Sequence, residues 1–115
     1  MNEPNELIID IQRSEMGLVV SPKGEIDLGR SPTLRGQLNT LVAEKPGRIV
    51  IDLSGVAYMD SSGVATLVEA LQQCRSANIS LTLCSLQDRV RSIFEIARLD
   101  MVFTIADSLE KAMEA

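Results

Sequence analysis

The chain alternates short apolar runs with longer stretches in which apolar residues recur every three or four positions. The first run, LIIDIQ from Leu7 to Gln12, is compact and β-branched, which predicts a strand. GLVVSPKGEI follows after the turn RSEMG, where Gly17 can supply a positive φ, so the pair predicts a hairpin. Pro22 has no N–H for a ladder, so the second strand is expected to be bulged or to lie partly at an edge. SPTLRGQLNTLVAEK predicts a helix: Ser31 suits the N-cap, Pro32 the first helical position, and Leu34, Leu38, Leu41 and Val42 share one face. Gly36 weakens that helix by about 1 kcal/mol relative to Ala, and Pro46-Gly47 ends it.

RIVIDL, Arg48 to Leu53, is nearly all apolar, as suits a strand of a parallel sheet buried on both faces. In YMDSSGVATLVEAL and its continuation, Val64, Leu67, Val68, Leu71 and Cys74 form one helical stripe. NISLTLC alternates, with Ile79, Leu81 and Leu83 expected inward and Ser80 and Thr82 on the other side. SLQDRVRSIFEIARL opens with Ser85 and Asp88 at capping-box spacing and carries the stripe Val90, Ile93, Phe94 and Ala97. MVFTIA predicts a last short strand, and DSLEKAMEA a short helix opened by Asp107 and Glu110. The predicted order is β-β-α-β-α-β-α-β-α. Strand-helix alternation after the first hairpin implies an α/β fold with a mixed, mostly parallel central sheet and about four helices. No linker or repeat divides the chain, so one domain over 1–115 is expected, with its core at about 6–114.

Composition narrows the functional classes. Of 115 residues 45% are hydrophobic, enough for a core, and with Tyr58, Phe94 and Phe103 as the aromatics that core must be aliphatic. The net charge of −5 argues against binding a nucleic-acid backbone, which needs a basic stripe, and suits simple solubility and a partner with a basic face equally well. There is no histidine, which removes imidazole bases and most zinc sites. Cys74 and Cys84 form no C-x-x-C pair and are expected to be buried small residues. The start MNEPNELIID lacks the basic and apolar regions of a signal peptide. No apolar stretch approaches the ~20 residues of a membrane helix, so a cytoplasmic protein without membrane insertion is expected.

Two stretches could carry chemistry. In the first, Asp60, Ser61, Ser62 and Gly63 stand where a helix begins at the C-terminal end of the sheet, the usual place for ligands in an α/β fold. Ser and Asp are common caps, and capping alone would account for them. However, one cap suffices where three residues compete, and Gly63 removes a side chain where something could approach closely. The free N–H groups there also tolerate a phosphate. In the second stretch, GEID, Glu25 and Asp27 are two carboxylates without a histidine or further acids to complete an acid/base or metal site. They read as loop groups near the sheet end. Ser61 has no base to make it a nucleophile, and no glycine-rich phosphate cradle is present. No catalytic residue, cofactor or metal is expected.

The segments GEIDLGRSPTLRGQL, RIVIDLSGVAYMDSSGVATLVEAL and LTLCSLQDRVRSIFEIARLDMVFTIADSLEKAM together resemble bacterial anti-sigma-factor antagonists built as single STAS domains. The resemblance covers about 100 residues and implies a partner switch. In that family the unphosphorylated antagonist binds an anti-sigma factor that is also a serine kinase, and the sigma factor is released. Phosphorylation abolishes binding, and a PP2C-type phosphatase restores it. Carried over, the resemblance makes Ser61 the phosphoacceptor. It places Asp27, Asp60, Ser62 and Gly63 with Ser61 at the partner-facing surface of a non-enzymatic domain, and the charged face and single domain suit a monomer. Other STAS domains serve as accessory subunits of transporters or scaffolds of sensory complexes, which is the alternative.

Overall fold

A computed structural model describes residues 7–114. The expected domain of 1–115 therefore includes residues 1–6 and 115, which lie outside the described residues. Ten elements follow in order: β1 (Ile8–Ser14), β2 (Gly17–Lys23), α1 (Ser31–Ala43), β3 (Arg48–Asp52), α2 (Ser61–Ser76), β4 (Ser80–Cys84), α3 (Asp88–Ile96), a 3-10 turn (Leu99–Met101), β5 (Thr104–Ala106) and α4 (Leu109–Glu114). The sheet runs β1-β2-β3-β4-β5, with β1 antiparallel to β2 and every later pair parallel. The expected α/β fold and element order are what the chain adopts.

The hairpin turns on Gly17, at φ +126°, where a Cβ would meet the Arg48 carbonyl oxygen at 2.6 Å. No other residue type fits there. Pro22 stays in unbroken register with Ile9 of β1, so there is no bulge. β3 pairs only with Leu18 to Val20, so Pro22 lies past the end of that ladder and its missing N–H costs nothing on that side.

One face of the sheet presents Leu18 and Val20, Ile49 and Ile51, and Leu81 and Leu83 to α1, α2 and α3. Leu34, Leu38 and Leu41 of α1, Leu67, Ala70 and Leu71 of α2, and Val90 and Phe94 of α3 close over them. The opposite face was expected to leave Ser80 and Thr82 outside. Instead Thr82 is 3% exposed, and Val19, Val50 and Cys84 pack beneath Ala112 of α4. Alternation persists along β4, but both of its faces are covered from Leu81 onward. Both cysteines are buried and free, and burial pushes both thiols upward in pKa.

Three expected helix starts differ. Ser31 is the first residue of α1 and buried, with Arg30 as the cap; the Asp27 carbonyl takes the Ser31 N–H at 2.8 Å. Ser85 adopts φ 59° and forms no capping box, so α3 starts behind Gln87 without a side-chain cap. At α4 the Ser108 hydroxyl, rather than Asp107, accepts the Lys111 N–H at 3.1 Å. On α3 the stripe ends early: Ala97 is the exposed C-cap. Val64 and Val68 of α2 are only half-buried, and Gly63, Thr66 and Ala70 complete the buried stripe.

Candidate functional site

Beyond Val20 and Ile51, β2 and β3 part, and the chains that follow rejoin at the C-terminal end of the sheet. Ile26 and Met59 form an isolated parallel bridge: the Ile26 N–H donates to the Tyr58 carbonyl at 3.0 Å, and the Asp60 N–H to the Ile26 carbonyl at 3.1 Å. That bridge brings the β2–α1 turn, residues 24–30, beside the start of α2. GEID and DSSG, separate in sequence, thus become one surface.

Asp60 is the N-cap of α2 in extended conformation. Its Oδ1 accepts from the Ser62 N–H at 2.9 Å, the Ser62 hydroxyl at 2.5 Å and the Gly63 N–H at 3.3 Å. Its Oδ2 accepts from the Leu28 N–H across the turn at 3.1 Å. These donors hold the carboxyl below its ordinary value. The Ser62 hydroxyl contributes most, partial burial opposes it, and the Gly63, Ser62 and Leu28 N–H groups add to the lowering. The competition among three candidate caps is therefore settled in favour of the carboxylate, the strongest acceptor present.

The two serines consequently differ. Ser62 is half-buried, its hydroxyl donates to Asp60, and its carbonyl accepts the Thr66 hydroxyl at 2.9 Å. Ser61, first residue of α2, is exposed, and among the described residues its hydroxyl has no hydrogen-bond partner. Gly63 is buried. A Cβ there would stand 2.6 Å from Met59 Cγ, 2.8 Å from Ile26 Cγ2 and 3.0 Å from the Ile26 carbonyl oxygen. The close approach read from the sequence is real, but the chain's own bridge occupies the space.

Asp27 is half-buried at the turn. Its Oδ1 accepts the Arg30 N–H at 3.1 Å, and its Oδ2 pairs with the Arg30 guanidinium. Glu25 is exposed and does not join it. Among the described residues no group of three or more His, Cys, Asp or Glu side chains is placed to hold a metal ion. The sequence reading missed Leu28, 75% exposed beside Asp60, and the partly exposed Tyr58. It also missed Arg30, for which the i, i+3 spacing from Asp27 was the available signal. Nothing local marks Leu28, because its role comes from a carboxylate 32 residues away.

The surface is thus an exposed hydroxyl on a helix N-terminus, flanked by an apolar side chain and an ordered acidic turn. Among the described residues no helix is long and apolar enough to cross a membrane.

The family model of the STAS domain matches residues 8–112. The anti-sigma-B factor antagonist of Bacillus subtilis is 31% identical over 106 residues, covering 92% of this chain and 96% of its own. That of Listeria monocytogenes is 34% identical over 82 residues, covering 71% of this chain and 72% of its own. Among solved structures, an anti-sigma factor antagonist from Mycobacterium paratuberculosis has the same fold, with a TM-score of 0.89 at 24% identity. It covers 99% of this chain and 97% of that one.

Proposed function

The chain belongs to the STAS domain family, and from that premise we propose that it is an anti-sigma factor antagonist switched at Ser61. In its unphosphorylated form it binds an anti-sigma factor with serine kinase activity, and the sigma factor is released. Phosphorylation of Ser61 ends that binding, and a PP2C-type phosphatase restores it. The domain acts in the cytoplasm as a monomer and catalyses nothing itself. Asp27, Asp60 and Ser62 order the surface around Ser61, and Gly63 lets the bridge under it close.

The observation that carries this reading is the difference between the neighbouring serines. Ser62 has its hydroxyl engaged by Asp60, whereas Ser61 is exposed with its hydroxyl free among the described residues. A kinase reaches Ser61 without dismantling the helix cap. Phosphoserine brings a charge of about −1.5 to −2 at neutral pH. The partial positive charge of the helix N-terminus tolerates it by ~0.3–1 kcal/mol. A close-fitting interface must desolvate or exclude it, and a loss of ~3 kcal/mol lowers affinity more than a hundredfold.

The test is affinity capture from the native cell with wild type, Ser61→Ala and Ser61→Asp, coupled to intact-mass analysis. A single phosphate adduct on Ser61, with a kinase-like protein retained by Ser61→Ala and lost from Ser61→Asp, is expected. Capture of the same permease subunits by all three, with Ser61 unmodified, would replace this reading by a transporter-accessory role.

A further inference from the structure

The hydrogen bonds of Asp60 exceed what capping requires. One oxygen serves α2 completely, through Ser62 and Gly63, while the other reaches Leu28. The Asp60 N–H meanwhile holds the Ile26 carbonyl at 3.1 Å. Asp60 therefore grips the β2–α1 turn at both Ile26 and Leu28, immediately before the residue that carries the free hydroxyl.

We propose that Asp60 is a positioning residue that couples the chemical state of Ser61 to the β2–α1 turn. The exposed Leu28 side chain and the Asp27–Arg30 pair thereby respond as one surface with the α2 N-terminus. The proposal deepens the partner-switch reading by adding a regulatory path within the same site, and it rests on that reading for its biological use.

The physical basis is competition between anions. The Ser62 and Gly63 N–H groups bind a single carboxylate oxygen. A negative group on Ser61 is adjacent to that carboxylate and seeks the same helix N-terminus. Repulsion between like charges shifts the Asp60 carboxylate, and the Leu28 N–H, which donates to its Oδ2, is released. Leu28 is 75% exposed, and while the Asp27 carbonyl closes the turn around it by accepting the Arg30 and Ser31 N–H groups, the bond to Asp60 ties the Leu28 N–H to α2. A switch built this way removes the apolar contact as well as adding a charge. The fold beneath stays intact because Ile26 and Met59 are fully buried.

Amide hydrogen exchange of the full chain, followed by NMR at one neutral pH, tests this without a kinase or a partner. Four proteins are needed: wild type, Asp60→Asn, Ser61→Asp and the double variant. Asn keeps an acceptor for the α2 donors, but its NH2 faces the Leu28 N–H and cannot accept from it. Exchange at Leu28 is expected to rise about tenfold or more in Asp60→Asn, with β3 amides unchanged. In Ser61→Asp it is expected to rise severalfold, and that increment is expected to vanish in the Asp60→Asn background, a non-additivity that a purely structural role would not produce. Unchanged Leu28 exchange in Asp60→Asn, or an undiminished Ser61→Asp effect in the double variant, would overturn the coupling. Because no partner is present, such a result leaves the affinity capture at Ser61 to stand or fall separately.

Discussion

At the residue scale, two glycines on helices have opposite meanings. Gly63 is buried, and a Cβ would press on Met59, Ile26 and the Ile26 backbone oxygen, at distances from 2.6 to 3.0 Å. Gly63→Ala gains helix propensity but overpacks the bridge, so we expect a net loss of about 1–3 kcal/mol in urea unfolding. At Gly36 nothing lies within 4 Å of an added Cβ. Gly36→Ala is expected to stabilise by up to about 1 kcal/mol in the same assay. Asp60 supplies a pH signature. Its carboxyl is lowered from an ordinary 3.8, chiefly by the Ser62 hydroxyl. A depressed folded-state pKa contributes stability that is complete above the unfolded value and is lost as pH falls through the folded one. Asp60→Asn lacks this titration. The stability gap between wild type and variant should therefore narrow as pH falls below about 4. Glu44, lowered by its hydrogen bond from Arg13, titrates in both proteins and drops out of the difference. A gap independent of pH would mean that the Asp60 bonds do not favour its ionised form.

At the element scale, α3 and α4 are attached by few residues, and each has its own consequence. α3 buries only Val90 and Phe94, and the Phe94 ring meets Phe103 edge-on with centroids 5.5 Å apart. Phe94→Ala removes that anchor and should cost about 3–5 kcal/mol, read as a lower denaturant midpoint. α4 covers the second face through Ala112, which is fully buried against Val19, Val50 and Cys84. Ala112→Asp puts an unpaired charge there and should lift α4 from the sheet. Labelling with a thiol reagent should then become fast at Cys84, while Cys74, on the buried side of α2 against the other face, stays slow. Equal rates at both cysteines would indicate global unfolding instead of a detached helix.

At the scale of the whole molecule, the site is separated from the parts that hold the fold. The core lies between the sheet and its covering helices, whereas Ser61, Asp27 and Leu28 occupy the rim at the C-terminal end of the strands. Under the proposed switch, a charge at Ser61 acts on docking with little effect on stability. Ser61→Asp should keep its thermal midpoint within about 4 °C of wild type, since the dipole and repulsion terms are each about 1 kcal/mol or less. Backbone amide shifts should change mainly at 24–30 and 58–63. Widespread shifts would replace the local switch with a rearrangement of the fold. If the net charge of −5 steers a basic partner surface to this one, association should slow as salt rises.

The sequence by itself determined the order of elements, the parallel sheet behind an initial hairpin, the face of α1 and part of that of α2, and the adjacency of Asp60, Ser61 and Ser62. Each of these follows from periodicity or from neighbours in the chain, so local pattern suffices. Tertiary structure alone decided which groups receive which hydrogen bonds and which second faces are covered. Ser31, Ser85 and Asp107 had the composition of caps, yet donors, backbone angles and neighbours in the folded chain assigned the ends differently. Thr82 read as the strand's outer face, yet it is buried, and on that face α4, arriving from the far end of the chain, covers Val19, Val50 and Cys84. The distinction between Ser61 and Ser62 likewise depends on Asp60, and the orientation of Asp60 depends on a turn 32 residues away. Hydrogen-bond allocation is a competition among all groups that folding brings within reach, and no stretch of sequence contains all the competitors.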